Sequence, residues 1–101
     1  MNSAIIQTVS ELKEKYMHKG FIILGVFGSY ARNEEKEDSD IDILYVLNSE
    51  FKDRGFKKVY KLGLIKESLQ QELGKSVDII NRDFLGDIGK RYILKDAIYV
   101  K

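Results

Sequence analysis

At 101 residues the chain can bury one modest core, and residues 1–101 are expected to form a single domain with no second one for a substrate. Hydrophobic residues at 44% and charged residues at 33% exclude a disordered chain, and a net charge of +1 gives no general pull toward nucleic acid or membrane, so neither is expected as a partner. Cysteine is absent, which excludes disulfides and thiolate metal sites and fits the reducing cytoplasm expected as its location. No apolar run approaches the ~18 residues of a spanning helix, and the N-terminus lacks the charged-then-apolar pattern of a signal peptide.

Residues 4–19 predict an amphipathic helix, because Ile5, Val9, Leu12 and Tyr16 recur every three or four residues among Glu11, Lys13, Glu14 and Lys15. Ser3 is placed as its N-cap and Gly20 as its stop. His18, the single histidine, is read as a helix-end surface residue and assigned no role. Two short apolar runs follow, Phe21–Phe27 and Ile43–Leu47, each rich in β-branched or aromatic residues and each predicted to be a buried strand.

Between them lies the stretch around which the chain is organised, Gly28 to Asp42, reading GSYARNEEKEDSDID. Gly28 leaves the backbone free to bend and lets a phosphate come close. Ser29 adds a hydroxyl and an amide at the same point, and a helical turn beyond it would make an anion site. Arg32 is placed to contact a triphosphate in a forked manner. The plainer reading of Gly28-Ser29 alone is a tight turn with a capping serine. Glu34 to Asp42 carries six acidic residues and one lysine. Glu34, Glu35, Glu37 and Asp38 read as a solvated loop. Asp40 and Asp42 differ, because alternate strand residues point to one side and these two carboxylates therefore stand together. Like charges so close resist joint ionisation, a difficulty that a divalent cation such as magnesium removes. Salt bridges to lysine or arginine are the alternative.

Residues 49–75 predict a helix with Leu62, Ile65, Leu69 and Leu73 as its core stripe and Gly74 as its stop. Arg54, Lys57, Lys58 and Lys61 share one face of it, either simply solvated or holding nucleotide phosphates or a nucleic-acid partner. Residues 76–80 form a short predicted strand in which Asp78 points away from Val77 and Ile79. Asp83 is placed as the N-cap of a weak helix holding Leu85, Ile88 and Tyr92, whose apolar surface is either core or partner interface. Ala97 to Val100 reads as a last strand at a sheet edge.

Gly-Ser, a ten-residue spacer and then Asp-x-Asp, with a later strand aspartate, resembles the nucleotidyltransferase superfamily, and in particular the minimal nucleotidyltransferases paired with HEPN proteins. The likeness covers residue 21 to the end and departs from the family pattern at Asn33, where glycine is common. It implies an α/β (α+β) nucleotidyltransferase fold, a small mixed β-sheet flanked by helices. It gives Asp78 the role of third carboxylate beside Asp40 and Asp42, the three holding two magnesium ions. It also implies that Gly28, Ser29 and Arg32 bind the nucleotide, with ATP as substrate. In that family the chain is an antitoxin that moves AMP onto a tyrosine of a HEPN toxin, the implied partner here. Two alternatives stand beside this: a non-catalytic module that neutralises its partner by contact, and a stand-alone transferase acting on a small molecule.

Overall fold

The computed structural model describes residues 3–100. Along the chain come α1 (Ser3–Met17), β1 (Phe21–Phe27), β2 (Ile41–Leu47), α2 (Phe56–Leu73), β3 (Val77–Asn81), a 3-10 turn at Arg82–Phe84, α3 (Asp87–Asp96) and β4 (Ile98–Tyr99). The strands form one sheet in the order β3-β2-β1-β4. β1 runs antiparallel to β2 and β4, while β2 and β3 are parallel. A parallel pair needs a long crossover, and α2 supplies it. The mixed α/β architecture expected from the sequence is therefore what forms, with β4 at the edge. Among the described residues no helix is long and apolar enough to cross a membrane.

The core lies on one face of the sheet. Ile41, Ile43 and Tyr45 of β2 point toward Val9, Leu12 and Tyr16 of α1 and Ile65 and Leu69 of α2. Aromatic rings link the layers: Phe21 stacks on Tyr45 at 4.5 Å, and Tyr16 meets Phe21 edge-on at 6.1 Å. The Tyr16 hydroxyl donates to Ser68 Oγ and ties α1 to α2. Asp42 and Leu44, alternating with those core residues, face the other side.

One irregularity decides which residues of β1 share that second side. The ladder with β2 shifts register between Ile23 and Gly25. Phe21 and Ile23 enter the core before the shift and Val26 after it, so Phe27 lies opposite Asp42 on the second face. Gly25 is required there, because a Cβ on it would run into the Ile98 carbonyl of β4. The Val100 amide then closes on the Leu24 carbonyl at 2.9 Å.

Three local expectations are corrected. The helix expected from residue 49 starts only at Phe56. Asn48 diverts the chain first, accepting the Glu50 amide on its side chain at 2.9 Å and the Phe51 amide on its carbonyl at 3.0 Å. Asp83 does not cap α3. Instead the Asn81 side chain accepts the Asp83 amide at 2.9 Å, forming the short 3-10 turn, and α3 begins at Asp87 after Gly86. Ser3, expected as a cap, is the first residue of α1 itself. The stop at Gly74 forms as read, its amide bonding to the Gln70 carbonyl at 2.8 Å.

Ile43 is wholly buried whereas Phe56 is 95% exposed. Ile43→Ala should therefore lower the unfolding free energy by about 2–5 kcal/mol, and Phe56→Ala should change it by no more than about 0.5 kcal/mol. Chemical denaturation of the two variants checks this; comparable losses would contradict their placement.

Candidate active site

The turn after β1 is shaped by a close approach. Gly28 has φ of 74°, and a Cβ built on it would fall on the Asp42 carboxylate. Glycine at this position satisfies the left-handed backbone and leaves room for Asp42. The chain then curls into a compact turn, with Arg32 N–H donating to Gly28 O at 3.1 Å and Glu34 N–H to Ser29 O at 2.9 Å. These bonds leave the amides of Ser29, Tyr30 and Ala31 outside the turn's own pairing. Tyr30, read only as part of the spacer, is 2% exposed and sunk in the core, so it pins the turn to the sheet. Its signal in the sequence is an aromatic residue directly after Gly-Ser.

Asp42 and Asp78 are register partners on the adjacent parallel strands β2 and β3. Partners of this kind point to the same face about 5 Å apart. Asp40 is exposed and lies just before β2. The Asp42 carboxyl is pushed up from 3.8 to about 6, first by burial, then by the charges of Asp78 and Asp40, with Arg32 pulling the other way. Asp40, Asp78 and Arg32 thus all act on the Asp42 carboxyl. Two of these four are also engaged elsewhere: Lys66 Nζ stands 3.5 Å from Asp78 Oδ1, and Arg32 Nε stands 3.5 Å from Glu34 Oε2. Lys66, from the middle of α2, was not singled out by the sequence pattern, which showed it only as one more helix lysine.

The arrangement suits hard cations in donor chemistry. All three groups are carboxylates, and a cation offsets both the burial and the repulsion that raise Asp42. Among the described residues no three acidic or histidine side chains are already closed around a single point. Asp78 would turn from Lys66 to join the other two, breaking an ion pair between exposed groups that contributes little.

Other residues are not brought to this place. Arg54 and Lys58 line a cleft of about 370 Å³ with Leu47 and Phe51. Leu47 is five residues beyond Asp42 on β2, or roughly 16 Å along the strand. Lys61 pairs with Asp53 at 3.4 Å, and Lys58 lies over the Phe84 ring at 5.1 Å. This basic face of α2 therefore does not border the acidic site and is not positioned for the same phosphates. Glu35, read as solvated, is half-buried, with an Oε1 that has no hydrogen-bond partner among the described residues.

A mixed four-stranded sheet, with a Gly-Ser turn closing on the carboxylate strand, defines the nucleotidyltransferase class. The chain belongs to the nucleotidyltransferase domain family, whose pattern matches residues 5–100, and it is a nucleotidyltransferase enzyme. It is 38% identical over 96 residues to a candidate protein adenylyltransferase of Methanocaldococcus jannaschii, covering 91% of this chain and 97% of that one. It is 36% identical over 90 residues to the protein adenylyltransferase MntA of Thermococcus cleftensis, covering 89% and 82% respectively. A solved structure described as a minimal nucleotidyltransferase superposes with a TM-score of 0.73 at 27% identity, over 97% of this chain and 95% of that one. A chain from a toxin–antitoxin structure with AMP-PNP shares the fold, with a TM-score of 0.69 at 16% identity over 98% and 72%. The likeness to minimal nucleotidyltransferases read from Gly28 to Asp42 thus holds across the chain.

The Asp42 carboxyl holds its proton more tightly in the folded chain than in the unfolded one. The stability this gives is full below about pH 4 and is lost as the pH rises through about 6. In chelator-treated buffer, Asp42→Asn should unfold at a similar temperature to the wild type near pH 4 and at an increasingly higher one up to about pH 7. An offset that does not vary with pH would mean that this carboxylate is not crowded.

Proposed function

We propose that this chain is a magnesium-dependent protein adenylyltransferase that moves AMP from ATP onto a tyrosine hydroxyl of a HEPN toxin, and so acts as its antitoxin in the cytoplasm. The observation that carries this reading is the register of Asp42 with Asp78, with Gly28 set against the Asp42 carboxylate. The adenylyl donor is supported by relatives named protein adenylyltransferase. The toxin partner is supported by a fold neighbour taken from a toxin–antitoxin structure with AMP-PNP.

In this reading Asp40, Asp42 and Asp78 would hold magnesium, which when bound would offset the triphosphate's charge and make the acceptor hydroxyl more acidic. Gly28 admits the leaving phosphates to the turn, where the Ser29 hydroxyl and amide bind them. Arg32 exchanges Glu34 for phosphate oxygens and balances their charge. Asp78 accepts the proton of the acceptor hydroxyl as its oxygen bonds to the α-phosphorus. The bond from the α-phosphorus to the bridging oxygen breaks in line with the new one, and pyrophosphate leaves.

The test uses ATP labelled at the α-phosphate, magnesium and the protein encoded by the adjacent reading frame. Label should pass to that protein, and Asp42→Asn should slow the transfer by at least about a hundredfold. Equal labelling by Asp42→Asn would sink the mechanism. A tight complex with no label would favour the non-catalytic module, and label on small hydroxyl compounds without the partner would favour the stand-alone transferase.

A further inference from the structure

α2 carries two apolar stripes rather than one. Ile65 and Leu69 face the core. On the opposite side of its first half, Phe56, Val59, Tyr60 and Leu64 are exposed at 95%, 69%, 69% and 45%. Spacings of three, one and four place these four on a single face running about 12 Å along the helix. Gly63 lies in the same stripe with nothing within 4 Å of where its Cβ would be, so a partner could come close to the backbone there. An exposed apolar strip of this kind on a small protein marks an interaction surface.

Its borders are cationic. Arg54 and Lys57 make no ion pair among the described residues, and Lys61 pairs only with the partly exposed Asp53. At Leu64 the stripe runs into a groove of about 260 Å³ between α1 and α2, which adds Lys15 and Lys19. The charge decides the occupant. A second copy docking face to face would set Arg54, Lys57 and Lys61 against their own equivalents, an unfavourable juxtaposition.

We propose that the outward stripe of α2 docks a helix of a separate protein, apolar along its centre and acidic along its edges. Phe56 and Tyr60 are the anchors, and Arg54 and Lys57 steer the approach. This goes beyond the adenylyltransferase reading and rests on it only for the choice of probe, the protein encoded by the adjacent reading frame.

Complex formation is measured by calorimetry and sedimentation, with ATP binding as a check that the rest of the chain is intact. Wild type should bind the probe. Phe56→Ser with Tyr60→Ser should weaken binding roughly thirtyfold or more, leaving ATP binding unchanged. Arg54→Glu with Lys57→Glu should mainly slow association and flatten its salt dependence. Full affinity in the Phe56/Tyr60 variant would overturn the docking site and leave the transferase reading standing. A wild type that binds no probe would overturn the toxin-partner reading and the docking site together. Self-association of the wild type that these serines abolish would overturn it in favour of a second copy.

Discussion

The fold and the site both depend on the parallel register of β2 against β3. Ile41 opposite Val77 and Ile43 opposite Ile79 set that register from the core side. Burying Ile41, Ile43 and Val77 contributes about 5–9 kcal/mol in total. The same register brings Asp42 beside Asp78 on the other face, where like charges on neighbouring strands repel, a cost that solvent around exposed Asp78 keeps below about 3 kcal/mol. The apolar side wins by that margin, so the carboxylates are held together by packing that takes no part in their chemistry. A slip of one residue would turn Asp78 into the core and Val77 toward solvent, losing on both faces.

A second constraint brings the turn to those carboxylates. The irregularity at Leu24 rotates the end of β1, so that Phe27 rather than Val26 stands opposite Asp42 on the second face. Gly28 then meets the Asp42 carboxylate, and buried Tyr30 holds the turn in place. The raised Asp42 carboxyl is the electrostatic trace of that crowding, limited by Arg32 from the same turn. Backbone shape, aromatic anchoring and charge thus converge on one side chain.

Much of this was legible in the residues because it follows from strong local patterns. Phe21–Phe27 is apolar throughout and flanked by Gly20 and Gly28, so its limits could be read directly. Asp78 could be placed because Val77 and Ile79 beside it fix its face. What escaped was set by contacts remote in sequence or by single side-chain hydrogen bonds. Gly25 hinted at the register shift, but its need arises from β4, more than seventy residues later. Asn48 and Asn81 each redirected the backbone by accepting one amide, which overrode the periodicity expected from residue 49 and from Asp83. Lys66 reached Asp78 only because the crossover returns α2 along β3. The outward stripe of α2 was hidden by the inward one, since a helix apolar on two sides shows a blurred period.

The near-zero net charge conceals two opposed poles. The acidic segment Glu34–Asp42 lies at one end of β2, and Arg54 and Lys58 lie beyond Leu47 at the other. At the acidic end the nearby cations are already shared, Arg32 with Glu34 and Lys66 with Asp78. An anion is therefore disfavoured at that end unless a cation accompanies it. The same polarity draws an acidic protein surface to the far end of α2 and away from the carboxylates. The two poles are thereby kept at opposite ends of one small sheet, and their separation is set by where the chain turns at Gly28 and at Asn48.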